Sequence, residues 1–358
     1  MIAEEKALAD LTAMLSEQKR IALDTEADSL HCYFEKLCLI QISGGGDHVL
    51  VDPLASIDLQ PLFDTVCSRR LVLHGADYDL RLLRRSGAFE PVDLFDTMIA
   101  ARLAGKSTLG LASLVKEYFG VELSKASQKA NWAIRPLPPQ MVEYALNDTR
   151  YLFEIADTLE ADLHQLGRWE WFAESRDRMI ASAREVKERD DSTVWRISGS
   201  YALTPRAQAI LRILWFWRDS EARAWDRPPF HVIGNEDMLR VAQQMANGGA
   251  FSTPRMNGSR RKSFEVVVAL AMQIPESEWP KIEKTKRKKI TKEQTQRLEA
   301  LKKTRDIVAK EISLDPSIIA PRAAMEATAA DPDCLALMSW QRRLLGLAEA
   351  TPAKPKNP

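Results

Sequence analysis

The sequence predicts an α/β domain over residues 1–165, followed by small domains built only from helices. Up to residue 164, short apolar runs typical of strands alternate with segments whose apolar residues recur at the helical period. Beyond residue 164 the strand signals fade, and helical segments continue to about residue 347. A length of 358 residues leaves room for two or three domains.

The elements of the first domain follow from its apolar runs and the residues that interrupt them. The predicted strands are 20–26, 36–42, 48–52 and 71–74. Glycines at 44–46 supply the flexible turn of a hairpin between the second and third strands. The predicted helices lie near 77–86, 94–104, 108–119 and 139–163. A hairpin combined with helical crossovers indicates a sheet layered with helices.

The second half of the chain is predicted as a connector followed by two helical units. Its predicted helices are 205–224, 236–246, 263–273, 293–310, 316–329 and 333–347, with an exposed loop at 247–262. Thr204 and Pro205 are a favourable cap and first-turn proline for the first of these helices. The expected domains are 1–165, a connector and linker at 166–200, 201–283, 284–348 and a disordered tail at 349–358.

The net charge of zero conceals an uneven distribution. Residues 1–160 hold 16 Lys and Arg and 24 Asp and Glu. Because the whole chain holds 50 of each class, residues 161–358 hold 34 Lys and Arg and 26 Asp and Glu. This asymmetry suggests a metal-binding catalytic unit beside a unit that binds a polyanion. The N-terminus reads as an amphipathic helix, and four scattered cysteines fit a reducing cytoplasm. We expect no signal peptide, membrane anchor, zinc site or disulfide framework.

Two pairs of residues, each on one face of its predicted strand or helix, are candidates for a catalytic role. Asp24 and Glu26 are two apart in a predicted strand, so both point to one face. Neighbouring carboxylates repel each other unless a cation lies between them, and Mg²⁺ or Mn²⁺ suits an all-oxygen site. Tyr144 and Asp148 are four apart on a predicted helix, where a phenol beside a metal-bound carboxylate can position a water. Each pair alone also fits an ordinary exposed strand or half-buried helix.

Asp77 and Asp79 lie where a predicted strand ends and a helix begins. Acidic residues favour helix N-termini, so Asp77 fits a capping position and Asp79 fits the first turn. Both residues therefore have a structural explanation, and spacing alone does not choose a metal ligand between them.

In order and spacing, these motifs resemble those of ribonuclease D, a 3′→5′ exonuclease of the DEDDy type. The first motif matches at 23–26 and the second at 74–80, where the family acid follows His74 by five residues and selects Asp79. The third motif, Tyr-x-x-x-Asp, matches at Tyr144 and Asp148. A histidine in place of Tyr144 would mark the sister branch of these exonucleases. Stretches 94–97 and 128–137 also resemble the family, so the similarity covers residues 1–165.

The resemblance implies a ribonuclease H-like mixed sheet with flanking helices and two bound divalent ions, Mg²⁺ or Mn²⁺. Asp24, Glu26 and Asp148 would hold the first ion, and Asp24 would bridge to the second. Asp79 would act mainly through bound waters, and Tyr144 would orient the attacking water. The implied activity is stepwise release of nucleoside 5′-monophosphates from RNA 3′ ends in the cytoplasm, with tRNA precursors as substrate.

Trp132 and Arg135 have two interpretations. A loop tryptophan can stack on a base and an arginine can meet a phosphate, which would make both residues RNA contacts. Alternatively, Trp132 packs in the core and Arg135 pairs with a nearby acid. Asp96, in an apolar context before a predicted helix, is expected to be structural.

The helical half resembles the HRDC domain, a small module shared by ribonuclease D and RecQ-type helicases. The matching stretches are 214–219, 226–230 and 274–280, and a second HRDC-like unit is suggested by 314–322 and 340–345. The densest basic cluster consists of Lys284, Lys286, Arg287, Lys288 and Lys289. We expect this cluster to contact RNA without reading its sequence, the alternative being a solvated linker.

Two other functions remain compatible with the sequence. The same carboxylates serve DNA exonucleases, and no residue identifies a contact with a ribose 2′-OH. An RNA-binding adaptor with an inactive nuclease domain is the second alternative, although the four acids and the tyrosine are all present. We expect no membrane partner, and the sequence identifies no protein partner.

Overall fold

The computed structural model describes residues 1–186, 188–249, 256–281 and 291–350. These residues form two compact units. The first contains Met1–Glu26, Leu37–Glu185 and the described part of Lys286–Pro358, and the second contains Ala27–Lys36 and the described part of Val186–Thr285. Within these described ranges, no helix has the length and apolar character needed to cross a lipid bilayer.

In the described residues, the first unit is built on a five-stranded mixed sheet. Its strands are β1 (Arg20–Ala27), β2 (Leu37–Gly44), β3 (Asp47–Val51), β4 (Arg70–Leu73) and β5 (Asp93–Asp96), in the order β3-β2-β1-β4-β5. β1, β4 and β5 are parallel, whereas β2 and β3 form the predicted antiparallel hairpin. Parallel strands end at the same edge of a sheet, so the segments that follow β1, β4 and β5 leave from one edge.

Helices flank this sheet and build the second unit. In chain order they are α1 (Glu5–Ser16), α2 (Gln60–Cys67), α3 (Asp77–Ser86), α4 (Thr97–Leu103), α5 (Leu111–Phe119), α6 (Pro139–Arg150), α7 (Leu152–Gln165), α8 (Trp169–Arg184), α9 (Pro205–Trp225), α10 (Pro229–Val232), α11 (Asn235–Ala246), α12 (Gly258–Met272), α13 (Lys292–Glu311), α14 (Pro316–Ile319), α15 (Arg322–Ala330) and α16 (Ser339–Leu344). Helices α9–α12 belong to the second unit and the others to the first.

The prediction of one helix at 94–104 was wrong. Residues Asp93–Asp96 form β5, which pairs with β4, and α4 begins only at Thr97. The Asp96 carboxylate accepts hydrogen bonds from the backbone N–H groups of Met98 (2.8 Å) and Ile99 (3.1 Å), which fixes the start of the helix at this point. The predicted helix at 139–163 is also two helices, because the backbone breaks at Tyr151 between α6 and α7.

The C-terminal helices share a core with the sheet. Trp340 is 1% exposed and its ring stacks on that of Trp171 of α8, with the centroids 4.8 Å apart. The Arg168 guanidinium donates to the carbonyl oxygens of Leu103 (2.7 Å) and Ile312 (2.6 Å), which joins the ends of α4 and α13. Residues 291–350 therefore pack as part of the first unit, whereas residues 284–348 were predicted to form a separate domain.

The helices of the second unit lie between Ser200 and Glu278 in its described residues, whereas Ala27–Lys36 contains no helix. The Thr204 hydroxyl accepts a hydrogen bond from the backbone N–H of Ala207, so the predicted cap of α9 is confirmed. Trp215 and Trp217 are buried along α9 within the core of the unit. Helix α12 begins five residues before the predicted start at 263, because Asn257 caps it by accepting from the Arg260 N–H. Part of the predicted loop at 247–262 is therefore helix.

Candidate active site

Asp24 and Glu26 lie at the carboxyl end of β1. The strand is anchored by Ile21, Ala22 and Leu23, which are at most 1% exposed. Asp24 and Glu26 follow this buried run and are partly buried themselves. As the alternation of a strand requires, their carboxylates approach each other, and both also approach the carboxylate of Asp148.

Helix α6 brings Tyr144 and Asp148 to the same place. The helix packs on β2, where the Ser43 hydroxyl donates to the Thr149 hydroxyl at 2.7 Å. Ala145, fully buried one residue after Tyr144, belongs to the core cluster that includes residues of β2. Because this face of α6 is fixed against the sheet, Asp148 is held beside the end of β1.

Asp24, Glu26 and Asp148 form a group whose carboxylate oxygens, one from each residue, all lie within 4.8 Å of one another. Among the described ion pairs, none involves any of these three acids. Oxygen ligands bind Mg²⁺ or Ca²⁺ at about 2.0–2.6 Å, so ligands of one ion lie at most about 5 Å apart. The spacing, the oxygen chemistry and the lack of a described ion pair all fit a divalent cation.

Burial and mutual repulsion raise the pKa of each acid in this group. The pKa of Asp24 lies well above its ordinary value because of burial and then the charges of Asp79, Asp148 and Glu26. Burial, with the charges of Asp148 and Asp79, raises the pKa of Glu26 to about 9. Burial and the charge of Asp79 raise the pKa of Asp148 to about 7. Without a cation, the group therefore retains protons near neutral pH.

Asp79 lies in the first turn of α3 and is 6% exposed. One of its carboxylate oxygens accepts a hydrogen bond from the Thr25 hydroxyl. Burial raises the pKa of Asp79 to about 6, against the opposing effect of that hydrogen bond. Asp79 lies outside the 4.8 Å group formed by the other three acids. Its charge nevertheless raises the pKa of Asp24 and Glu26, so it belongs to the same electrostatic site.

Asp77 does not cap α3, and that prediction was wrong. The capping position is Ala76, which already has helical backbone angles, so Asp77 is the first residue inside the helix. Its carboxylate pairs with Arg81 one turn later, at 3.1 Å. Asp77 therefore has a partner away from the group of carboxylates.

Asp96 holds the turn that precedes Asp79, a link that sequence reasoning missed. Besides capping α4, its carboxylate accepts from the N–H groups of Gly75 (3.1 Å) and Ala76 (2.8 Å). Gly75 has φ +76°, and a Cβ there would lie 2.8 Å from the Cε atom of Met98. The sequence signal was an acid at the end of an apolar run, which predicted a structural role without identifying the turn it stabilises.

Tyr144 is partly buried beside the carboxylates. Burial and the charges of Asp148, Glu26 and Asp24 raise the pKa of its phenol. The phenol therefore stays protonated at neutral pH, as a hydroxyl able to donate a hydrogen bond or accept one. Its ring lies 5.9 Å from that of Trp132.

The structure corrects the prediction that Trp132 and Arg135 contact RNA. Trp132 is 1% exposed in the core cluster beside Tyr144, so no face of its ring is available to a base. The Arg135 guanidinium binds both oxygens of Asp52, at 2.5 and 2.6 Å, and the carbonyl oxygens of Cys38 and Trp132. The alternative interpretation, core packing and an acidic partner, is the one observed. The predicted basic cluster at 284–289 lies outside the described residues.

Comparison with known proteins assigns the chain to a family. Residues 1–164 match the family model described as 3′-5′ exonuclease. The chain is similar to a ribonuclease D of Xanthomonas oryzae pv. oryzae, with 37% identity over 233 residues that cover 63% of this chain and 62% of that relative. It is also similar to a ribonuclease D of Cronobacter turicensis, with 30% identity over 290 residues that cover 78% of each chain.

A solved structure gives the same answer for the fold. The crystal structure of Escherichia coli RNase D, described as an exoribonuclease involved in structured RNA processing, has a TM-score of 0.67 at 27% identity. The match covers 92% of this chain and 89% of that one, so it includes both the mixed sheet and the helical region. The predicted fold class and resemblance are confirmed. The chain belongs to the ribonuclease D family of 3′→5′ exoribonucleases.

Proposed function

We propose that this chain removes nucleotides one at a time from the 3′ ends of RNA and releases nucleoside 5′-monophosphates. The observation that carries the proposal is the group of Asp24, Glu26 and Asp148, three mutually close acids without a described ion pair. Family membership supports RNA as the polymer. The Escherichia coli relative processes structured RNA, so we extend the proposal to structured RNA, with tRNA precursors as the natural substrate and the cytoplasm as the location.

The carboxylates are suited to hold two divalent ions, Mg²⁺ or Mn²⁺. Asp24, Glu26 and Asp148 would hold one ion, and Asp24 would share the second with Asp79 acting through water. When bound, such ions supply the positive charge that stabilises the attacking and departing oxygens of a phosphodiester displacement. Thr25 and Asp96 contribute by fixing Asp79 through its carboxylate and through the preceding turn.

Tyr144 orients the attacking water in this proposal. Its raised pKa excludes a phenolate at neutral pH, so the residue acts as a hydrogen-bonding hydroxyl and not as the proton acceptor. The buried indole of Trp132 packs beside its ring and limits the orientations of the phenol. Trp132 is therefore a positioning residue for Tyr144.

Tyr144→Phe is expected to lower kcat by about a hundredfold, because it removes the hydroxyl and leaves the packing of the ring intact. Divalent-ion binding, followed as the rise in thermal midpoint on adding Mn²⁺, should stay at the wild-type value. The control is Tyr151→Phe, since the Tyr151 ring stacks on Phe119 with centroids 5.6 Å apart, outside the carboxylate group. Equal losses in the two variants would contradict the role of Tyr144.

Neutralising Lys284, Lys286, Arg287, Lys288 and Lys289 is expected to weaken RNA binding. For single strands, the slope of log affinity against log salt should flatten by about 0.7 for each phosphate that the protein no longer neutralises. Hydrolysis of very short oligonucleotides should be spared, because these are too short to occupy the catalytic site and a second set of phosphate contacts together. The measurement compares long and short substrates over a range of salt, and equal losses on both would count against the proposal.

The preference for RNA or DNA is tested with one oligonucleotide sequence made both as RNA and as DNA. Each is labelled at its 3′ terminal nucleotide and incubated with the full chain and Mg²⁺ or Mn²⁺. We expect release of the labelled mononucleotide from RNA. Faster release from DNA would favour the DNA exonuclease alternative, and no release from either would favour the inactive adaptor.

A further inference from the structure

The second unit carries a surface of exposed aromatic rings that the active site does not use. Phe34 and Phe230 are each 54% exposed, and Trp225 is 46% exposed. Large aromatic side chains are normally covered, and an exposed group of them marks an interaction surface more often than a single one does. We call Phe34, Arg223, Trp225, Arg227, Phe230 and His231 the aromatic surface.

Hydrogen bonds and ring contacts connect the residues of this surface. Asp226, which ends α9 with φ +47°, accepts from the backbone N–H groups of Tyr33 (3.0 Å) and Phe34 (3.2 Å). Arg227 donates to the carbonyl oxygen of His31 at 2.8 Å. The segment Ala27–Lys36 is thereby fixed on the end of α9, so Phe34 lies at the helix end that also carries Trp225. The same segment directly follows Glu26 in the sequence.

Cationic groups lie among the rings. The Arg223 guanidinium is 5.5 Å from the ring centroid of Tyr33 and 5.9 Å from that of Phe34. The His231 ring lies 4.7 Å from Phe230 and 6.4 Å from Trp225. Arg223, Arg227 and His231 are all exposed, and the Arg260 guanidinium lies over the Trp225 ring, 4.2 Å from its centroid. Positive charge and partly exposed aromatic rings are therefore presented to solvent together.

This combination matches the chemistry of unpaired nucleotides. Bases have flat faces that stack on aromatic rings, and their phosphates are attracted to neighbouring arginines. In a duplex the bases are stacked within the helix and cannot lie on protein rings, so the surface favours single strands.

We propose that the aromatic surface binds single-stranded RNA, with bases stacked on Phe34, Trp225 and Phe230 and phosphates held by Arg223 and Arg227. The inference rests on the proposed function for the identity of the polymer. It adds a second RNA contact, carried by residues other than the predicted basic cluster at 284–289. A single-stranded extension of a structured RNA is the form of substrate that such a surface would select.

The test measures binding in the full chain carrying Asp24→Asn, so that hydrolysis does not disturb it. Combined Phe34→Ala, Trp225→Ala and Phe230→Ala changes are expected to lower affinity for a single-stranded oligonucleotide by about fivefold or more, the effect of removing at least one stacked base. Affinity for duplex RNA should change little. The matched control is Tyr201→Ala, because Tyr201 is 85% exposed in the same unit and outside the surface.

A second readout separates stacking and phosphate binding from a structural effect. An oligonucleotide containing 2-aminopurine should lose its fluorescence quenching in the triple variant. Arg223→Gln with Arg227→Gln should flatten the salt dependence by about 1.4, from two phosphates at about 0.7 each. Arg261→Gln is the control, since that side chain is 58% exposed and pairs with Glu265. If the triple variant unfolds, the arginine pair still decides the question.

The inference is overturned if the triple variant binds single strands as the parent does, or if Tyr201→Ala weakens binding as much. An equal decrease on single strands and duplexes would also overturn it. Unchanged RNA affinity with a shift from dimer to monomer would assign the surface to a second copy of the chain. Absence of hydrolysis by the unmutated chain would contradict the proposed function alone, because the binding measurement does not depend on cleavage.

Discussion

Asp24→Asn is expected to lower the rate of RNA hydrolysis by at least about a thousandfold, the equivalent of the several kcal/mol that metal stabilisation supplies. Asp24 lies in the group of three carboxylates and is the acid proposed to contact both ions. The amide has the same shape as the carboxylate, but it lacks one acceptor and the negative charge. RNA affinity should be largely retained, because the proposed RNA contacts of the second unit are untouched.

The control for Asp24→Asn is the same change at Asp77. Asp77 is an acid near the site whose carboxylate pairs with Arg81 and belongs to no described group of close carboxylates. Removal of a partly exposed ion pair costs at most about 1 kcal/mol of stability, so Asp77→Asn should remain active. Persistent hydrolysis in purified Asp24→Asn, or an equal decrease in Asp77→Asn, would show that the ligands are assigned wrongly.

Removing divalent ions is expected to abolish hydrolysis. Adding the ions back is expected to stabilise the fold more at about pH 8.5 than at about pH 6. In the ion-free chain, the pKa values of Glu26, Asp148 and Asp79 are about 9, 7 and 6. All three lie above the ordinary values of 4.5 for Glu and 3.8 for Asp. The folded chain therefore binds more protons than the unfolded chain between about pH 4 and pH 9.

The sign of the effect follows from that proton balance. A carboxyl group whose pKa is raised by folding stabilises the fold at pH values below its pKa in the unfolded chain. This stabilisation disappears as the pH rises through its pKa in the folded chain. The ion-free chain should thus become less stable from about pH 4 to about pH 9 as the carboxylates charge and repel each other. A divalent ion competes with those protons, so it binds more tightly and stabilises more as the pH rises.

Thermal unfolding at the two pH values, with chelator and with Mg²⁺ or Mn²⁺, measures this prediction. The gain in midpoint should be larger at the higher pH, and Asp24→Asn should reduce the gain at both. An equal rise in thermal midpoint at both pH values in the unmutated chain would mean that the ions bind away from these acids.

How far the sequence could predict the site depends on the range of the interactions involved. Alternation in a strand and the turn of a helix are local, so the same-face pairs at 24/26 and 144/148 followed from spacing. Spacing did not separate Asp77 from Asp79, and the family resemblance was needed. The structure supplies the physical difference, since Asp79 is buried against the hydroxyl of Thr25, 54 residues earlier in the chain.

Several of the predictions that were wrong depend on partners distant in sequence. Arg135 binds Asp52, which is 83 residues away, and nothing local in the stretch 128–137 identifies that partner. The helix predicted at 94–104 begins with a strand because β4 supplies a pairing edge, and tertiary pairing overrides local propensity. Ala27–Lys36 has no periodic pattern, and its place in the second unit depends on Asp226, almost two hundred residues later.

The central claim is that the carboxylate group at the end of β1 hydrolyses RNA from the 3′ end with divalent ions. It is tested most directly by following a 5′-labelled single-stranded RNA with the purified chain, with Mg²⁺ or Mn²⁺ and with chelator, while the products are identified by mass. We expect a ladder shortened one nucleotide at a time, nucleoside 5′-monophosphates as the released product, and no reaction with chelator. Internal cleavage, products that carry a 3′-phosphate, or hydrolysis that persists in chelator would contradict the claim.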